Sequence, residues 1–157
     1  MSFTHFDDSG ASRMVDTSHK GETVRTASAS GLVRLSEATW KLIQEAPVAK
    51  GNVLEVARLA GIMAAKQTGT LIPLCHPLPL SGVTIDFTFP STGLVRIVAE
   101  AKVVGRTGVE MEAMTAVSLA ALTIYDMCKS HDKGIVIEQI QLEKKTGGKS
   151  GDWVRRV

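Results

Sequence analysis

Apolar and polar residues alternate most regularly over Val83–Phe89, which reads V-T-I-D-F-T-F. A period of two marks a half-buried strand. Leu94–Val104 forms a second strand beyond a turn at Pro90–Gly93, so the two make a hairpin. Glu22–Leu35 is rich in small and β-branched residues and reads as a strand or a strand pair, and Ile135–Leu142 as a final strand. Helical spacing takes over elsewhere. Ser36 caps a short helix that runs to about Glu45 and stops before Pro47. Asn52 caps a stronger one to Gln67, with Val53, Val56, Ala57, Ala60 and Ala64 on one face around Gly61. Such a face admits a close neighbour, a helix of the same chain or of another subunit. The longest helix spans Val109 to about Lys129. Between them, Pro73, Pro77 and Pro79 forbid a helix over Thr70–Ser81 and stiffen its backbone.

Helices interspersed with antiparallel strands predict an α+β fold, an open sheet with helices on one face. The 157 residues suit one domain spanning 1–157, with mobile ends at about 1–13 and 144–157. Composition is that of a globular chain, but aromatics are only 4%, so the core rests on Leu, Ile, Val, Ala and Met. A formal net charge of +2 gives no argument for nucleic acid. The polar N-terminus has no apolar core of a signal peptide, and no apolar run would cross a bilayer. Cys75 and Cys128 are therefore expected as reduced thiols in a cytoplasmic protein.

Three groups of residues are candidates for chemistry. Asp126 and Lys129 share a helix face, a spacing that suits a surface ion pair as well as a catalytic one. Glu110 and Glu112 open the same helix, where the dipole favours carboxylates. Glu112 and Asp126 face the same way but lie about 21 Å apart along the axis. Both can serve one substrate only if two protomers build the site. Second, Leu74-Cys75-His76-Pro77 offers a stiff platform, from which His76 could transfer a proton or bind phosphate. No C-x-x-C or H-x-x-x-H spacing supports a metal. Third, Lys50 and the K-K-T-G-G-K-S-G tail, with Lys144, Lys145 and Lys149, place lysines beside glycines. The tail is no P-loop, because Glu143 stands where its first glycine belongs. Glycines and lysines can still contact phosphate.

The segments LIPLCHP (71–77), TGVEMEA (107–113) and LTIYDMCK (122–129) resemble those of the MoaC family, the cyclic pyranopterin monophosphate synthases of molybdenum-cofactor biosynthesis. Met14-Val15-Asp16 and GGKSGD (147–152) agree, so the resemblance covers nearly the whole chain. It implies a ferredoxin-like fold and a homohexamer, a trimer of dimers with sites at dimer interfaces. The implied reaction converts 3′,8-cyclo-7,8-dihydro-GTP into cyclic pyranopterin monophosphate and pyrophosphate, a phosphorus–oxygen lyase activity. Asp126, Lys129 and Lys50 match catalytic positions. Leu74, Cys75, His76, Met111 and Glu112, with Glu110, Arg25 and Lys145, match substrate-binding ones. The chain has Asn52 where the family often has Asp, and asparagine caps a helix equally well. No cofactor, metal, nucleic acid or membrane partner is expected. Two rivals make other predictions. A regulatory nucleotide-binding module would bind without releasing pyrophosphate, and a metal-dependent phosphohydrolase would lose activity to a chelator.

Overall fold

The computed structural model describes residues 3–45 and 51–156. Strand β1 (Thr23–Arg34) leads into helix α1 (Glu37–Glu45), α2 (Val53–Lys66) and the single turn α3 (Thr68–Leu71). The hairpin β2 (Gly82–Ser91) and β3 (Leu94–Gly105) follows, then α4 (Glu110–Cys128), β4 (Val136–Thr146) and β5 (Trp153–Val154). All pairings are antiparallel, and the five strands lie in the order β2-β3-β1-β4-β5. This is the expected α+β, ferredoxin-like sheet with its helices on one face.

Alternation decides which face is covered. Val95, Ile97, Ala99, Ala101 and Val103 of β3 are fully buried under the helices, as are Ala27, Ala29 and Val33 of β1. The intervening Arg96, Glu100 and Lys102 point to the open face. Helix α4 brings Ala113, Ala116, Val117, Ala120, Ala121 and Ile124 down onto this surface, all with no exposure. With few aromatics, the core closes by short distance. At Gly61 a side chain would strike Ile85 and the Ala116 carbonyl, so α2 lies directly on α4. Ala57, Gly61 and Ala64 of the small-residue face are packed within the chain, while Val56 of that face is 43% exposed. Asn52 caps α2 by accepting from the Leu54 and Glu55 amides at 3.0 and 3.2 Å.

Two irregularities in β4 differ from the simple strand predicted to end at Leu142. Pairing with β1 slips between Ser28 and Ala29 and again between Ser30 and Leu32, with Gln139 at φ 56°. The strand also runs on to Thr146, and Trp153 and Val154 fold back against Lys145 and Lys144. The tail from Glu143 is thus built into the sheet for part of its length, which its polar composition did not suggest.

Candidate active site

The start of α4 and the proline-stiffened segment meet at one end of the sheet. Leu74, Cys75, His76, Glu110, Met111 and Glu112 line a cavity of about 390 Å³ there. Six expected residues, from two segments far apart in sequence, are brought together. Glu112 is 3% exposed. Burial, aided by repulsion from Glu110, pushes its carboxyl up to about 7, against a hydrogen bond from its own backbone. It is a carboxyl able to give or take a proton near neutral pH. Burial, then the neighbouring Glu112 charge, raises the Cys75 thiol, so this cysteine is not a ready nucleophile.

Sequence reasoning missed the rest of the wall. Thr4, His5, Val15, Thr17 and Lys20 come from the N-terminal segment, and Thr107 and Gly108 from the turn before α4. The segment holds its shape through Asp7, which accepts from the amides of Ser9 and Ala11 at 2.9 Å each, and through pairing of Phe6 with Ser12. Nothing periodic marks these residues; only the Met14-Val15-Asp16 and TGVEMEA (107–113) matches hinted at them.

A second cavity of about 590 Å³ lies beside the first, and Lys20 lines both. Its walls include Arg25, Lys149 and Ser150, with Gly148. The Arg25 guanidinium is fixed by donating to the carbonyls of Gly105 at 3.0 Å and Arg106 at 3.2 Å. It lies against Gly148, where any side chain would collide with it. Gly147 and Gly148 both have positive φ, and Asp152 accepts from the Gly147 amide at 3.2 Å, so the loop is a closed, glycine-dependent turn. Lys145 donates to Glu110 at 2.9 Å and to Ser150 at 3.3 Å, joining the two cavities.

The β4 irregularity explains why Lys145 does this. Leu142 pairs with Ala29 on the helix side, and strict alternation would put Lys144 there next. The extra residue Glu143 shifts the phase. Lys144 instead pairs with Ser28 and reaches Glu100 on the open face at 3.8 Å, and Lys145 falls opposite Ala27. Glu143 itself is held by Ser30, and by Gln141 and Arg96 at 3.2 and 3.3 Å.

Asp126 and Lys129 are not part of these cavities. They lie at the other end of α4, paired at 2.5 Å with side chains 66% and 56% exposed. The carboxylate beside Lys129 raises its pKa by hydrogen bond and charge. Nearby, Leu42, Ile43, Val53, Met127 and Cys128 line an apolar groove of about 440 Å³, with Thr39 and His131. Lys50 lies outside the described residues; the chain resumes at Gly51 and Asn52, just before Val53 of this groove. Among the described residues, no three His, Cys, Asp or Glu side chains are placed to hold a metal ion.

Known proteins resemble this chain over almost its whole length. A cyclic pyranopterin monophosphate synthase of Desulfitobacterium hafniense is 55% identical over 155 residues, covering 99% of this chain and 95% of its own. One from a Nocardioides species is 59% identical over 154 residues, 97% and 94% of the two chains. Cyclic pyranopterin monophosphate synthase 1 of Mycobacterium tuberculosis is 54% identical over 155 residues, 99% and 91%. The description of the MoaC family matches residues 14–148, a span that holds both cavities' main walls and the whole of α4, and the chain belongs to the MoaC family.

Proposed function

We propose that the chain is a cyclic pyranopterin monophosphate synthase. It converts (8S)-3′,8-cyclo-7,8-dihydroguanosine 5′-triphosphate to cyclic pyranopterin monophosphate with release of pyrophosphate, an early step of molybdenum-cofactor biosynthesis. The observation that carries this is the similarity over almost the whole length to proteins of that name. The paired cavities support it. One holds the buried Glu112 carboxyl, which suits the N–H edge of a pterin. The other is lined by Lys20, Arg25 and Lys149, which suit a phosphate chain.

Making the cyclic phosphate needs a sugar hydroxyl to attack the α-phosphorus as pyrophosphate leaves, which makes the enzyme a phosphorus–oxygen lyase. Rebuilding the ring needs proton transfers at carbon and nitrogen. In our reading Asp126 and Lys129 act as the coupled acid–base pair, and Lys50 assists proton transfer or offsets developing charge. Leu74, Cys75, His76, Met111 and Glu112 cradle the substrate, and Arg25 and Lys145 hold phosphates. Asp126 and Glu112 stand about 21 Å apart on one helix. That distance supports a site shared by two subunits, in which one subunit's Asp126 completes another's Glu112 cavity; the homohexamer, a trimer of dimers, rests on the family resemblance. A cytoplasmic location fits a nucleotide-derived substrate. The decisive experiment is pyrophosphate release from the cyclised substrate by the purified protein. Binding without release would leave a regulatory nucleotide module, and loss of release on adding a chelator would point to a metal-dependent hydrolase.

A further inference from the structure

Within the site, one ion pair sets two functions against each other. Lys145 stands between the two cavities, where our reading has it hold a phosphate chain. Its ammonium is nevertheless already engaged by Glu110 at 2.9 Å, with both side chains 27% exposed. Ser150, which lines the cationic cavity, accepts from the same ammonium at 3.3 Å. Glu110 reaches Lys145 by folding back over Gly108; a side chain at Gly108 would occupy the place of the Glu110 carboxylate. Three arrangements thus converge on this pair: the glycine seat under Glu110, the Glu143 bulge that turns Lys145 toward it, and the loop that supplies Ser150.

A phosphate held by Lys145 would stand within about 6 Å of the Glu110 carboxylate, and like charges at that range repel appreciably in a partly desolvated site. An ammonium has three donors, so Glu110 need not leave, but it weakens the grip. We propose that Glu110 is a tethered counter-ion: it competes with the phosphate chain for Lys145 and limits how tightly the site retains pyrophosphate. On the reading of the substrate given above, the triphosphate is anchored by its whole length and by the heterocycle. The released pyrophosphate has only the cationic cavity, so the counter-ion bears hardest on the product. Glu110 is a specificity-determining residue for leaving-group release and contacts neither the pterin nor the reacting atoms.

The test is calorimetric titration of the assembled protein with inorganic pyrophosphate, alongside turnover. Glu110→Gln removes the charge. Gly108→Ala expels the carboxylate while leaving it in the chain, and Gly108 has no positive φ that would forbid alanine. Both variants should bind pyrophosphate about fivefold more tightly than wild type. Lys145→Met should bind it more weakly, and in that background Glu110→Gln should gain less than about twofold. Product inhibition should deepen in parallel. Unchanged or weaker pyrophosphate binding in Glu110→Gln overturns the proposal, because a residue that contacts the heterocycle or merely positions Lys145 gives that result. A gain that persists in full without Lys145 overturns it too. Wild type that binds pyrophosphate but does not turn the substrate over would sink the functional reading instead, and the two failures are read separately.

Discussion

The two ends of α4 are built on opposite terms. At its start, Glu112 is 3% exposed and closed in by the proline-stiffened segment and the N-terminal residues. At its end, Asp126 and Lys129 stand in solvent, with side chains 66% and 56% exposed. The first end has the marks of a binding site in its own right: enclosure, a carboxyl shifted by burial, and a cationic cavity next door. The second carries its charged side chains open to solvent. Exposed ion pairs contribute little to stability, so this end has no strong structural reason for its chemistry. On the proposed function, α4 carries a pocket at one end and the acid–base pair at the other, half of each of two sites.

The comparison can be broken most sharply at the exposed end. Asp126→Ala should reduce turnover by about a thousandfold or more while leaving folding and assembly intact. Pyrophosphate release measured on protein of wild-type elution volume decides this, and near-wild-type turnover would remove Asp126 from the chemistry. Mixing comes next. If the ends belong to different protomers, coexpressing Asp126→Ala with an inactive Glu112→Ala chain should restore a measurable fraction of activity in the mixed assemblies. Mixtures no more active than either parent would place both residues in one protomer's site, or in none.

The buried end makes a pH-dependent prediction. Glu112 ionises near 4.5 in the unfolded chain and near 7 in the folded one. Below about pH 4.5 both states hold the proton and this group contributes no penalty. As pH rises toward 7 the unfolded chain releases its proton first, so stability falls, and the loss is complete above 7. Its size is on the order of 3 kcal/mol. Glu112→Gln should therefore raise Tm by several degrees at about pH 8 and leave it nearly unchanged at about pH 4.5. A Tm difference independent of pH would mean that another charge compensates Glu112. Smallest of all is the stability effect of Lys129→Met, whose midpoint in denaturant titration should stay close to wild type while turnover collapses.

Most of the fold was legible because its signals are local. The V-T-I-D-F-T-F alternation gives the hairpin, Asn52 gives the start of α2, and the alanine-rich run gives α4 nearly to the residue. Glu143–Thr146 was not legible as strand, since E-K-K-T has neither an apolar period nor β-branched bulk before Thr146. Its pairing is fixed by β1, more than a hundred residues earlier. The bulge at Glu143 was equally hidden, although it decides which of two adjacent lysines enters the site. Of the site, the L-C-H and E-M-E segments were found and do converge. His5 and Lys20 were missed because each is an ordinary polar residue whose place comes from the tertiary fold alone.

The strand order has a consequence for how the molecule is made. The central strand β1 is translated before any other strand, yet its neighbours are β3 and β4. Thr26 bonds to Thr146 across 120 residues of chain. During synthesis β1 must wait, with one edge unpaired until β3 emerges and the other until β4 does, more than a hundred residues after β1. Such long-range pairing folds slowly and leaves open edges that invite association. Chains that stop short of β4 should be claimed by chaperones or aggregate, and the glycine-rich loop that lines the cationic cavity is made only once the sheet it hangs from can close.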